Sequence, residues 1–164
     1  MDRDKTVFLE VIKTHQGIIN SLCHVYYRLE EDRRDTRQDI ILQLWRSFPT
    51  FRNECSVSTW IYKVSLNTIL SKIRKERRSV PQESLSDAHE GITAAADDTL
   101  QQLMQVIHYL ESTDKAIVIL NLEGYSHKET GIMLGFTETN ISTRLNRIRT
   151  KLRELYNTKD HELK

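Results

Sequence analysis

Cysteine is scarce in this chain of 164 residues, with Cys23 and Cys55 alone. Two are too few for a disulfide framework. Neither stands at a metal-ligand spacing from any of the six histidines, and the adjacent Cys23 and His24 would point different ways on a helix, so no metal is expected. Long apolar runs are missing as well. The charged start Met1-Asp2-Arg3-Asp4 leads into none, which excludes a signal peptide and a spanning segment, and the expected location is the cytoplasm. No stretch alternates at period two for long enough to build a sheet, so the expected fold class is all-α. Paired carboxylates beside a His-rich cluster and a phosphate-cradling glycine loop are also lacking. That excludes an enzyme such as a small nuclease, so no catalytic residue and no cofactor are expected.

One further absence is local. From Ser79 to Asp114 there is no Lys or Arg, while Glu83, Asp87, Glu90, Asp97, Asp98, Glu111 and Asp114 are acidic. Basic clusters flank this span: Lys72, Arg74, Lys75, Arg77 and Arg78 before it, and five residues between Arg144 and Arg153 after it. The net charge is only +1, so the chain is not a uniform nucleic-acid coat. Two basic patches around an acidic span point instead to two separate contacts with a polyanion.

What is present reads as helices. Phe8, Leu9, Ile12, Ile18, Ile19, Leu22, Val25, Tyr26 and Leu29 fit one or two helices over about Thr6–Leu29, with a bend possible at Gly17. Glu30 to Asp35 reads as a charged break. Asp35 or Thr36 would then cap a helix to about Ser47 with the apolar stripe Ile40, Ile41, Leu44, Trp45 and Phe48, ended by Pro49. Thr50 to Ser58 is a polar loop, and a long helix over about Thr59–Arg78 follows, apolar at Trp60, Ile61, Val64, Ile69, Leu70 and Ile73. Basic residues at its end complement the helix dipole, but five with only Glu76 opposing exceed what capping needs. Ser79 to about Asp97, with Pro81, Gly91 and an Ala run, reads as a linker. Fully extended it would span roughly 65 Å; as a coil it would average about 24 Å.

The second module is expected from 98 to 164. Helices over about Asp98–Leu110 and Thr113–Glu123 precede the stretch that organises it, Ser126 to Arg149. Ser126 with Glu129 forms a capping box. Gly135 suits a left-handed helix end. Thr137 caps the next helix, whose Ile141, Leu145, Ile148 and Leu152 repeat at helical spacing, and the polar tail from Tyr156 reads as frayed. A capped basic helix after a glycine turn is the pattern of a helix-turn-helix whose second helix enters the DNA major groove.

The order of parts resembles a known family. Phe51-Arg52, then Ser58-Thr59-Trp60-Ile61-Tyr62-Lys63-Val64, Asn67 and the basic cluster precede the linker. Tyr125-Ser126, Glu129-Thr130-Gly131, Leu134-Gly135, Thr139-Asn140-Ile141, Arg144-Leu145, Arg147, Arg149 and Lys151-Leu152 follow it. This is similar to RNA polymerase sigma factors of the sigma-70 family, extracytoplasmic-function (ECF) class, which keep only the second and fourth sigma domains. The resemblance covers nearly the whole chain. It implies domain 2 at 1–78, a flexible acidic linker at 79–97 threading toward the polymerase active-site channel, and domain 4 at 98–164. It implies an ECF-type factor that binds core polymerase, recognises minus-35 and minus-10 elements and helps open the DNA.

Residue roles follow from the same resemblance. Asp35, Gln38, Asp39, Gln43 and Arg46 match the face that grips the clamp helices of the polymerase β′ subunit; domain 4 would meet the β flap. Arg52, Asn53, Glu54, Ser56 and Asn67 match the pocket for an unstacked minus-10 base, whose extrusion costs a few kcal/mol. Lys72, Arg74, Lys75, Arg77 and Arg78 would hold the opened backbone. Asn140, Ser142, Thr143, Arg144, Asn146 and Arg147 would meet the minus-35 element. Promoter DNA, core polymerase and an anti-sigma factor are the implied partners, with no membrane insertion. Two positions depart from the family pattern. Gly131 replaces a frequent Ala at about 1 kcal/mol of helix propensity, and Asn53-Glu54-Cys55 stands where a Gly and polar residues are common. The competing reading is a dimeric helix-turn-helix regulator with a helical sensor or dimerisation half. A second basic helix argues against it, since a sensor domain has no need of another nucleic-acid face.

Overall fold

The computed structural model describes residues 2–79 and 107–162, with side chains over 4–79 and 107–154. Every regular element among them is helical: α1 (Asp2–Tyr26), α2 (Glu30–Ser47), a 3₁₀ turn (Phe48–Thr50), α3 (Val57–Ser79), α4 (Ser112–Leu122), α5 (His127–Leu134) and α6 (Glu138–Glu162). The chain divides into two compact units, Met1–Lys72 and Ile73–Lys164, a division that falls inside α3. The expected linker and most of the expected helix at 98–110 lie outside the described residues.

The first unit is built on three helices. α1 runs without a break through Gly17, and α1 starts earlier than the apolar pattern suggested. The expected charged break at 30–35 is instead the first turn of α2, so neither Asp35 nor Thr36 is a cap. Glu30, Glu31 and Asp32 lie in that turn, where acidic side chains favour the positive end of the helix dipole. The real break is confined to Tyr27–Leu29. Leu29 is extended there, and the Arg33 Nε donates to the Tyr27 carbonyl at 2.8 Å. Thr36 is fully buried mid-helix.

Core residues recur at helical spacing: Ile19, Leu22 and Cys23 on α1, Ile40 and Leu44 on α2, and Ile61, Leu66, Ile69 and Leu70 on α3. Each large aliphatic so buried contributes about 1.5–3 kcal/mol. Burial pushes the Cys23 thiol up from its ordinary value, outweighing the nearby Arg37, Lys72 and Arg33 charges that pull it down. Cys55 is exposed. A train of rings ties the elements together. Phe8 meets Trp45 at 5.0 Å and Phe48 at 5.3 Å, and Trp60 stacks on Phe51 at 4.8 Å. The expected stripe is therefore only partly core, because Trp45 remains 40% exposed at the rim.

In the second unit Ile107, Leu110, Ala116, Ile117, Leu120, Met133, Ile141, Leu145 and Ile148 form the core. α4 ends where Gly124 takes φ 88°. α6 continues to Glu162, past the point where a frayed tail was expected.

Candidate nucleic-acid interface

The helix-turn-helix of α5 and α6 is held by local chemistry. The Ser126 hydroxyl accepts from the Glu129 N–H at 3.2 Å, and the Glu129 carboxylate accepts from the Ser126 N–H at 2.8 Å. Those bonds hold the Glu129 carboxyl below its ordinary value. Gly135 closes α5 at φ 78°. Its N–H and that of Phe136 both donate to the Gly131 carbonyl at 2.8 Å. Gly131 is needed for this turn. A Cβ there would lie 2.5 Å from the Phe136 carbonyl oxygen. The Thr137 hydroxyl then accepts from the Asn140 N–H at 3.2 Å and starts α6.

At about 100° per residue, Ile141, Leu145, Ile148 and Leu152 turn one side of α6 inward. Thr143, Asn146 and Arg147 lie on the opposite side and are exposed, as is Asn140 in the first turn. Ser142 is half-buried at the margin. Arg144 is placed differently from the sequence expectation. Its Nη1 donates to Asp114 at 3.0 Å, its Nε donates to the Asn140 Oδ1 at 3.0 Å, and its guanidinium lies 5.2 Å from the Phe136 ring centre. Asp114, on α4, has a side chain only 10% exposed. Arg144 keeps 26% of its side chain exposed, so the pair is part-buried. Arg144 is thus committed to joining α6 to α4. Arg147 lies 3.8 Å from the same carboxylate but remains 66% exposed. Thr139 and Thr150 share the open face and were missed. The spacing Thr139, Thr143, Asn146, Thr150 (i, i+4, i+7, i+11) would have identified them.

In the first unit the polar loop between the 3₁₀ turn and α3 presents Arg52, Asn53, Glu54, Cys55 and Ser56, all exposed. Its ends are pinned by the Phe51–Trp60 stack and by the Ser56 hydroxyl, which accepts from the Thr59 N–H at 3.1 Å and caps α3. Asn53 takes φ 56°. Asparagine tolerates this left-handed conformation better than most residues, which accounts for it where glycine is common. Along α3, Lys63, Arg74 and Arg78 fall within about 40° of Asn67 on one line. All four are exposed. Lys63 was missed, although its spacing of four from Asn67 carried the signal. Lys75 and Arg77 flank the line at about 80° on either side. Lys72 lies about 140° round the helix. It is turned to α2, its Nζ donating to Asp39 at 2.9 Å.

On α2, Asp35, Gln38, Asp39, Gln43 and Arg46 are exposed together. Leu42 shares that face, and with Trp45, Ile41, Gln38, Lys5, Phe8 and Leu9 it lines a groove of about 560 Å³. Sequence periodicity had counted Trp45 as core and had not singled out Leu42. Among the described residues no helix is long and apolar enough to cross a membrane.

Comparison with known proteins accords with this layout. The family model Sigma-70 region 2 matches residues 11–79, and Sigma-70, region 4 matches residues 100–152. The chain is 26% identical over 154 residues to the ECF RNA polymerase sigma factor SigM of Mycobacterium tuberculosis, covering 93% of this chain and 78% of that one. It is 24% identical over 151 residues to the RNA polymerase sigma factor YlaC of Bacillus subtilis, covering 85% and 86%. Its fold is similar to the sigma factor RpoE solved with the anti-sigma factor NepR from Bartonella quintana, at TM-score 0.71 and 20% identity over 96% of this chain and 98% of that one. CnrH, solved with the cytosolic domain of CnrY, is similar at TM-score 0.65 and 19% identity, over 94% and 90%.

Proposed function

The chain belongs to the sigma-70 family of RNA polymerase sigma factors, in its ECF class, and directs RNA polymerase to promoters; from that premise we propose how its two units divide the task. The first unit binds core polymerase and the minus-10 element, and the second binds the minus-35 element. This follows the division into domain 2 at 1–78, a linker at 79–97 and domain 4 at 98–164. The carrying observation is that α3 and α6, in the regions that match sigma-70 regions 2 and 4, each expose a basic or polar face.

On α6 the readers are Asn140, Thr143, Asn146 and Arg147, with Ser142 at the edge. Arg144 serves them from behind. In the first unit Arg52, Asn53 and Glu54 at the loop tip, with Asn67, hold the extruded base. Ser56 fixes the loop. Arg74, Lys75, Arg77 and Arg78, joined by Lys63, follow the backbone of the opened strands. Asp35, Gln38, Asp39, Gln43 and Arg46 meet the β′ clamp helices, and the neighbouring groove around Leu42 and Trp45 adds apolar area to that contact. Domain 4 meets the β flap. An anti-sigma factor is a further partner, as for the RpoE neighbour. The protein acts in the cytoplasm and performs no chemistry of its own.

Run-off transcription with core polymerase tests the assignment. Simultaneous Asn146→Ala and Arg147→Ala replacement is expected to cut transcription at least tenfold, with loss at about 1–3 kcal/mol for each good base contact. Retained transcription would remove α6 from the recognition role.

A further inference from the structure

We propose that Asp114 is a positioning residue for base readout: acting through Arg144, it locks the Asn140 amide so that this side chain offers N–H donors to DNA. The proposal rests on the reading of α6 as the recognition helix.

The chemistry of the three groups permits one arrangement. Arg144 Nη1 donates to the Asp114 Oδ1 at 3.0 Å, and Arg144 Nε donates to the Asn140 side chain at 3.0 Å. A guanidinium has donors and no acceptor. The Asn140 atom facing it is therefore the carbonyl oxygen, and the NH₂ group is turned away from it. Asp114 on one side and Phe136 beneath hold the guanidinium plane, so the amide is fixed by a group that is itself fixed. The second Asp114 oxygen lies 3.8 Å from Arg147, too long for a hydrogen bond, so the relay runs through Arg144. Asn140 is exposed in the first turn of α6. The first residues of a recognition helix are those that meet base edges. An amide donor there pairs with an acceptor: N7 or O6 of guanine, N7 of adenine, or O4 of thymine. Cytosine presents a donor in the major groove and is rejected. Without the relay the amide can turn over and offer either edge.

The test is a promoter library randomised upstream, transcribed by holoenzyme assembled from core polymerase and the full chain. With the unaltered protein, cytosine is expected to be depleted about fivefold or more at one position. Asn140→Asp should make cytosine the preferred base there, because a carboxylate accepts from its N4 group. Arg144→Lys replaces the forked donor by a single charge that cannot hold both partners. It should flatten that one position, as should Asp114→Ala, while preferences at the other positions persist. A purely structural role would weaken all positions together. If circular dichroism shows that Asp114→Ala does not fold, Arg144→Lys decides. Full cytosine discrimination in Arg144→Lys, or an unchanged preference in Asn140→Asp, overturns the proposal. If the unaltered protein shows no upstream base preference at all, the recognition-helix reading falls too, an outcome distinct from a preference that survives loss of the relay.

Discussion

Single residues here carry roles that their type alone misstates. Gly131 looks like a loss of about 1 kcal/mol of helix propensity relative to Ala. The turn reverses the sign. An added Cβ would sit 2.5 Å from a backbone oxygen that the two bonds to the Gly131 carbonyl hold in place. Gly131→Ala is therefore expected to destabilise the protein by about 1–3 kcal/mol, read as a lower thermal midpoint. A raised midpoint would mean that the turn relaxes freely. Arg144 is the opposite case: a basic residue on the proposed recognition helix whose guanidinium is paired with a buried carboxylate.

Helices show how spacing sorts residues of like charge. Five basic residues crowd the end of α3, yet they divide by direction. Arg74 and Arg78 share the line of Lys63 and Asn67, while Lys72 faces Asp39 on α2. Promoter binding by holoenzyme, measured over a salt series, should resolve this. Each of Lys63→Ala, Arg74→Ala and Arg78→Ala is expected to reduce the magnitude of the salt slope by about 0.7–0.9. Lys72→Ala should leave the slope unchanged and cost only about 0.2–1 kcal/mol of stability, as for an exposed pair. An equal slope change for all four would refute the division. The same directional logic applies on α6, where Thr139 and Thr150 join the open face and Ser142 recedes to its margin.

Taken whole, the molecule carries its two proposed nucleic-acid faces on different helices, α3 and α6, in the regions that match sigma-70 regions 2 and 4. If the two faces meet separate promoter elements, as proposed, the free-energy effects of Arg74→Ala and Arg147→Ala should add. The fold-losses in holoenzyme affinity for a two-element promoter are then expected to multiply, to within about a factor of two. A double variant no weaker than the worse single one would show that the two contacts are made as one.

Legibility followed the range of the interactions. Helix existence, the capping box at Ser126 and Glu129, the left-handed Gly135 and the Thr137 cap rest on neighbours within a turn or two. Each could be read from spacing alone, and so could the all-α class; the family came through a resemblance carried by runs of adjacent residues such as Ser58 to Val64. The start of α2 was misread because a run of charged residues resembles a break, whereas its acidic Glu30, Glu31 and Asp32 complement the dipole at a helix N-terminus. Pairings across the fold were not legible. Asp114 and Arg144 are 30 positions apart, and Asp39 and Lys72 are 33 apart. Which side chain turns inward to meet such a partner depends on how helices pack, and no periodicity encodes that. The chain's own order of residues therefore settled which helices form and which family they build. Packing alone decided which of its basic residues turn to a partner helix, as Lys72 and Arg144 do.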